Sequence, residues 1–409
     1  MELERQNPHW EKDHLYPYEF KRFIFEEIEK SFDTSLITAL YGLRRVGKTV
    51  IMKQLINNSI KQGVERANIF YFSFEEQEED FWDIIKEYEK RIGKRLSQRN
   101  YLFFDEVQRV PEWRAKIKRL YDTSFAKIVI GGSNSLILRK GSESLAGRIN
   151  EFFVPELSFR EFLQFKNKEH LYSSNLDEML ENEFWDFIKK PFPELVLNPN
   201  LDAKNYVETI SRKVIYEDLP MIFPVDEPHL LYKIFVILCK NPGMLVEYAA
   251  LGSDLGRSRK TISAYLEYLR YGFLVRELFN YSKNQLTSEK KLKKFYPSLA
   301  CFANASIPKI VETIVAQILK TKYFWNMKNR YETDFVCPEP LYAYEVKYKE
   351  GLIKEDLRGL EQFRVRFNAA RTLLVSKKKE GKSVPYYRLE NFLTKNKLLQ
   401  KIRIEDVLF

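Results

Sequence analysis

The stretch Gly42-Leu43-Arg44-Arg45-Val46-Gly47-Lys48-Thr49 constrains this chain more than any other feature. A glycine, four residues and then Gly-Lys-Thr suit a loop that curls its backbone N–H groups around phosphate oxygens. An apolar run, Ser35 to Tyr41, precedes it, and an amphipathic segment, Thr49 to Lys61, follows. The order is therefore strand, loop, helix, and the helix adds the positive end of its dipole to the phosphate site. On this reading Gly42, Arg45, Val46 and Gly47 form the loop around the phosphates. Lys48 reaches the β- and γ-phosphates of ATP, and the Thr49 hydroxyl ligates Mg²⁺.

A second strand end carries the matching acids. Tyr101-Leu-Phe-Phe-Asp105-Glu106 is an apolar strand that stops at two adjacent carboxylates. Asp105 is expected to hold Mg²⁺ through its water shell, and Glu106 to orient or deprotonate the attacking water. A further strand, Lys127 to Ile130, runs into Gly131-Gly-Ser-Asn134-Ser135, where Asn134 is the expected sensor beside that water. Leu145-Ala-Gly-Arg148 follows, and Arg148 is expected to stabilise γ-phosphate charge, from the same chain or from a neighbouring subunit.

These residues resemble the large archaeal and bacterial group of AAA-like ATPases in which a P-loop domain precedes a C-terminal domain of unknown function. The likeness rests on Tyr41–Thr49, on Phe104-Asp-Glu-Val-Gln-Arg-Val-Pro-Glu-Trp113, on Gly131–Ser135 and on Leu145–Arg148. It continues through Glu156-Leu-Ser-Phe-Arg-Glu-Phe162. Gly131 stands where Thr is usual in that group. The resemblance implies a winged helix after the ATPase core and a restriction-endonuclease-like fold at the C-terminal end.

The remaining pattern agrees with an α/β chain. Residues 14–35 read as helix, and strands at Ser35–Tyr41, Asn68–Phe74, Tyr101–Phe104 and Ala126–Ile130 alternate with helical segments, as in a parallel sheet. The expected organisation is a P-loop NTPase domain over 1–155, a helical lid over 156–227, a winged helix over 228–294 and a nuclease-like domain over 295–409.

In the third of these, Ser258 caps a helix whose Ile262, Tyr265, Leu266 and Leu269 form an apolar stripe. Arg259, Lys260 and Ser263 sit on the other side near its start, where a recognition helix meets DNA. In the fourth, Glu312 lies in an apolar helix, Asp334 on a strand, and Glu345-Val-Lys347 at the end of the next strand. Helix, three strands, helix, strand is the core of the PD-(D/E)xK nuclease fold. Asp334 and Glu345 are the expected metal ligands there, with Lys347 stabilising charge and Glu312 completing the shell.

Composition adds direction. Sixty-seven Lys and Arg against 57 Asp and Glu leave a formal charge of +10, which favours a polyanionic partner such as DNA. Cys239, Cys301 and Cys337 are far apart and show no metal-ligand spacing, which fits a reduced, cytoplasmic protein. The charged start lacks a secretory pattern, and the longest apolar stretch is too short to span a bilayer, so a soluble protein with no membrane association is expected. Four histidines form no Ser/His/Asp or Cys/His constellation, so hydrolase chemistry of that kind has no support. The expected function is ATP-driven action on DNA, with ATP and Mg²⁺ as cofactors and assembly of copies through the ATPase domain. Its alternatives are a switch on a partner protein, or a DNA-binding ATPase with an inactive nuclease-like domain.

Overall fold

The computed structural model describes the chain except residues 1–2, 76–78, 133–144, 146, 285, 287, 289–290, 328–329 and 397–409. The chain divides into two compact units, Met1–Leu157 and Ser158–Phe409.

The first unit is built on five parallel strands: β1 Ile37–Tyr41, β2 Ile69–Ser73, β3 Tyr101–Asp105, β4 Lys127–Gly132 and β5 Ile149–Phe153, in the order β2-β3-β4-β1-β5. Every residue of β1 and β4 is buried, as continuous apolar runs require in a sheet covered on both faces. Because all strands run one way, their C-terminal ends meet along one edge. That edge receives Gly42 after β1, Glu106 after β3 and Gly131–Gly132 at the end of β4. The strand β5 was not foreseen; it is short and half-buried, and it is recognised by its parallel register with β1, Ile37 opposite Ile149.

The N-terminal segment departs from expectation. Helix occupies only Ile24–Phe32, while residues 14–22 form no regular secondary structure. Pro17 and the long-range bonds of this stretch explain the difference. The side chain of Asn57 accepts from the Tyr16 N–H at 3.0 Å and donates to the Tyr16 carbonyl at 2.9 Å. Upstream, side chains satisfy the open edge of β2. Asn7 bonds both the N–H and the carbonyl of Tyr71 at 2.7 and 2.9 Å. Gln6 accepts from Ser73 N–H at 2.7 Å, and His9 and Trp10 both donate to the Ile69 carbonyl at 3.1 and 2.7 Å. Side chains thereby take the place of a neighbouring strand, and the edge is closed to intermolecular pairing.

The second unit begins with helices that include Phe159–Phe165, Asp177–Lys189 and Ala203–Lys213. A helix Pro228–Lys240, a short strand β6 Met244–Val246, helices Tyr248–Leu255 and Arg259–Tyr271, and strands β7 Val275–Asn280 and β8 Lys293–Pro297 follow. Strand β8 pairs antiparallel with both β6 and β7. Next come helix Ile307–Leu319, strands β9 Tyr323–Met327, β10 Tyr331–Pro338 and β11 Leu341–Lys347, helix Arg358–Phe367, and strands β12 Arg371–Ser376 and β13 Val384–Pro385. This helix, three strands, helix, strand sequence matches the expected order. One eight-stranded sheet, β13-β12-β11-β10-β9-β7-β8-β6, runs through the boundary expected at 294/295, because β7 pairs in parallel with β9. Trp325, Val336, Ala343, Leu360 and Phe363 form the core between that sheet and helix Arg358–Phe367.

Candidate functional site

The loop after β1 has the backbone its sequence implies. Gly42 sits at φ +149°, and a Cβ there would lie 2.3 Å from the Val154 carbonyl oxygen, so only glycine fits. Gly47 takes φ 102° at the start of helix Lys48–Lys61. The Lys48 ammonium folds back on the loop and donates to the carbonyls of Gly42 at 3.1 Å and Leu43 at 2.9 Å. Arg45 adopts φ 67°, and Val46 is buried within the loop.

The two strand ends converge on Asp105. Thr49 Oγ1 donates to Asp105 Oδ2 across 2.5 Å. Tyr71 donates to the same oxygen at 3.2 Å, and the Glu106 N–H donates to Oδ1 at 3.1 Å. Burial, together with the Asp105 carboxylate, holds the Tyr71 phenol far above its usual range, so it remains a donor. Glu106 takes a left-handed backbone, φ 52°, which aims it away from the strand line. Burial raises its pKa, and Asp105 adds to that while Lys48 opposes it. The Gln108 amide donates to Glu106 Oε2 and fixes its orientation. The donors present, a hydroxyl and carboxylate oxygens, suit a hard cation such as Mg²⁺ beside a nucleotide.

Two further residues shape the site. Arg22 is buried and donates to the Val46 carbonyl at 2.7 Å, and to the carbonyls of Pro155 and Glu156 at 3.0 and 2.9 Å. It ties the loop to the segment that follows β5; carbonyl acceptors have no side-chain signature to read. Gly131 is the other: a Cβ there would lie 2.7 Å from Asp105 Oδ1 and 2.5 Å from Met52 Cε. The position where Thr is usual in the resembling group thus faces Asp105 directly.

The other expected site residues fall in different places. Asn134 lies outside the described residues. Arg148 precedes β5, and its carbonyl accepts from Ile37 N–H at 2.8 Å, so it stands at the start of the parallel strands. The phosphate loop is at their far end, five residues of β1 away, or roughly 16 Å at about 3.3 Å per residue. A role for Arg148 in its own chain's site is therefore corrected; its guanidinium pairs with Asp122 at 2.9 Å and is part-exposed.

In the second unit, Arg259 and Lys260 are exposed at the start of helix Arg259–Tyr271, with Ser258 capping the Thr261 N–H at 3.1 Å. Ser263 is half-buried and lines a cleft with Leu266, Arg270, Glu277 and Lys293.

Glu312, Asp334, Glu345 and Lys347 do gather. The register between β10 and β11 ends with Phe335 opposite Tyr344, which brings Asp334 near Glu345. Lys347 pairs with Glu345 Oε1 at 2.6 Å, and Asp334 Oδ2 accepts from Val346 N–H at 2.9 Å. Glu312 accepts from Tyr296 at 2.6 Å and pairs with Lys309 at 2.7 Å. Burial first, and the neighbouring acids second, push the Asp334 and Glu345 carboxyls above the usual carboxylate range. Mg²⁺ needs oxygens converging at roughly 2.0–2.1 Å. Among the described residues no three His, Cys, Asp or Glu side chains form a group that could hold a metal ion. The Lys294 ammonium lies among these acids instead, 3.7 Å from Asp334 Oδ1 and 3.9 Å from Glu312 Oε1. As they stand, these residues do not fit the metal centre expected from Asp334 and Glu345.

Among the described residues no helix is long and apolar enough to cross a membrane.

Residues 34–163 match the family described as an AAA domain, and residues 191–301 match a domain of unknown function (DUF8612). An uncharacterized protein from Haemophilus influenzae is 29% identical over 251 residues, 59% of this chain, and the chain spans only 62% of that relative's length. An uncharacterized protein from Methanocaldococcus jannaschii is 29% identical over 347 residues, covering 77% of this chain and 75% of its own. Among solved structures, the ADP form of the Aeropyrum pernix ORC2 protein aligns with 72% of this chain and 93% of its own, at 10% identity and a TM-score of 0.36. The Aeropyrum pernix ORC1 protein in complex with DNA aligns at 11% identity and a TM-score of 0.34, covering 72% of this chain and 94% of its own. The AAA match over residues 34–163 and the parallel sheet support a P-loop NTPase fold for that part of the chain.

Proposed function

We propose that this chain is an Mg²⁺-dependent ATPase whose nucleotide state governs how its second unit engages DNA. The observation that carries the reading is the meeting of Thr49 and Asp105 at 2.5 Å beside the Lys48 loop. Three elements distant in sequence thereby present a phosphate cradle, a cation and two acids at one edge. Mg²⁺, when bound, would neutralise charge on the β- and γ-phosphates. Glu106 orients the attacking water and accepts its proton, and its raised pKa brings it closer to the working pH of a general base.

Arg148 acts in trans on this reading. Its place at the start of β5 takes it away from its own loop and leaves it accessible to a second copy. The helix Arg259–Tyr271 is the recognition helix of a winged helix. Support comes from the order helix, strand, two helices and two strands, from β8 pairing with β6 and β7, and from exposed cations at the helix start. The nuclease-like portion binds without cutting, a reading favoured by Lys294 among its acids.

The test measures ATP turnover by Lys48→Ala and Arg148→Ala proteins, each alone and then mixed. Both alone should be inactive. A mixture should recover turnover, because an intact Lys48 loop then meets Arg148 from the other copy. Full activity of folded Lys48→Ala would end the ATPase reading, and a mixture without recovery would end the trans assignment.

A further inference from the structure

The helix that begins with Arg259 and Lys260 carries a second polar face. Ser263, Leu266, Glu267 and Arg270 recur at helical spacing and line one cleft. Strand β7 lines it too, through Glu277 and Phe279, which are two residues apart and share one face. Lys293, Ser288, Lys322 and Tyr323 add to its walls. The space is about 470 Å³, within the roughly 300–1,000 Å³ of clefts that take small molecules.

The groups on these walls are unevenly matched. Glu277, its side chain 8% exposed, accepts from Tyr248 at 3.1 Å and pairs with Arg270 Nη1 at 2.9 Å and Lys293 at 3.3 Å. One buried carboxylate thus answers two cations, and Lys322 lines the same cleft as a third. Glu267, the other acid of the lining, is exposed. Arg270 gives Glu277 only one end of its guanidinium. Its Nε is buried and has no hydrogen-bond partner among the described residues. That N–H belongs to the edge of a guanidinium that can grip an oxyanion by two parallel bonds. Ser288 is 3% exposed, and its hydroxyl is likewise buried without a partner among the described residues. Two such donors in one cleft are the condition that oxygens of an anionic ligand relieve. The same cleft offers aromatic surface. Phe279 and Tyr323 have ring centres 6.4 Å apart, and the Lys293 ammonium lies 4.6 Å from the Phe279 centre.

We infer that this cleft binds a nucleoside phosphate, its phosphate oxygens meeting Arg270 and Ser288 and its base resting against Tyr323. The choice follows from the mix of groups. A bare oxyanion would use the cations and gain nothing from the aromatic side chains. An apolar ligand would bury the cations and the two donors without answering them. A molecule with phosphate at one end and a flat heterocycle at the other satisfies both, and Ser263 and Glu267 offer hydrogen-bonding groups to the sugar. The inference goes beyond the proposed function. It uses neither the Lys48 loop nor the Arg259 and Lys260 contacts, so its failure leaves both readings untouched.

The experiment titrates AMP, GMP, CMP and UMP into the full chain by calorimetry, with inorganic phosphate and the matching nucleosides as separate arms. The same titrations on Lys48→Ala separate this cleft from the nucleotide loop. At least one monophosphate should bind the wild type and Lys48→Ala alike, about tenfold or more tighter than phosphate or its own nucleoside. Arg270→Gln should weaken that binding about tenfold or more, as loss of a charge-assisted bond does, and Ser288→Ala by about twofold to tenfold. Circular dichroism reports folding; if Arg270→Gln does not fold, Ser288→Ala and Tyr323→Leu carry the test. A 5′-phosphorylated trinucleotide distinguishes the two sources of the ligand: tighter binding than the monophosphate assigns the end of a strand, weaker binding a free nucleotide. No binding of any monophosphate would overturn the inference. So would binding that Lys48→Ala abolishes, phosphate held as tightly as the nucleotide, or affinity unmoved in the folded cleft variants.

Discussion

The hydroxyl of Thr49 donates to Asp105 Oδ2 across 2.5 Å, joining the first turn of the loop helix to the end of β3. The two residues are 56 positions apart, and β4 lies between their strands in the sheet. The bond holds the two halves of the nucleotide site in register. The same oxygen also accepts from Tyr71, so several donors orient the Asp105 carboxylate.

Glu106→Gln should retain ATP binding and hydrolyse it slower by about a hundredfold or more, as expected for loss of a general base. Its left-handed backbone and the Gln108 bond keep the side chain in place, and Gln preserves that shape. Nucleotide affinity by titration and single-turnover hydrolysis together check this. Wild-type turnover would remove Glu106 from the chemistry.

Gly131→Ala should weaken hydrolysis more than it weakens folding. The added methyl meets Asp105 Oδ1 at 2.7 Å and Met52 Cε at 2.5 Å. The flexible Met52 end can move, whereas Asp105 is fixed by three donors. The crowding should cost about 1–3 kcal/mol and appear as a raised Mg²⁺ requirement. Gly131→Ala with Met52→Ala should recover part of the loss, read from ATP turnover against Mg²⁺ concentration.

His9 should make the first unit acid-sensitive. Its Nε2–H donates to the Ile69 carbonyl, so Nδ1 is the acceptor for the Tyr16 hydroxyl at 3.0 Å. Burial lowers its pKa from 6.5 to about 4. The folded state therefore stays neutral where the unfolded chain takes a proton. Above about pH 6.5 this costs nothing; stability falls as pH drops from there toward about 4, by ~3 kcal/mol in all. Urea unfolding at several pH values should show this slope, and His9→Gln should reduce it by one proton.

Arg259→Ala with Lys260→Ala should weaken DNA binding and flatten its dependence on salt. Both side chains are exposed at the start of their helix. Loss of two phosphate contacts should lower the slope of log affinity against log salt by about two. Fluorescence anisotropy over a salt series measures it. An unchanged slope would assign that helix to packing.

The nucleotide loop, the Asp105-Glu106 strand end and the helix and strand order of the C-terminal portion were legible in sequence. Each is written in contiguous residues whose spacing is imposed by backbone geometry: a loop that must curl, a strand that must be apolar, a helix that must be amphipathic. The nearness of Asp334 and Glu345 was also foreseeable, since two successive strands lie side by side. Tertiary structure alone decided the rest. Asn7 and Gln6 close the edge of β2, Arg22 joins Val46 to Pro155, Arg148 stands at the far end of the sheet, and Lys294 enters the acids from a strand of another element. These contacts link residues tens of positions apart, and many end on backbone carbonyls, which every residue carries. Local pattern holds no record of them; they exist only once the sheets have chosen their strand order and registers.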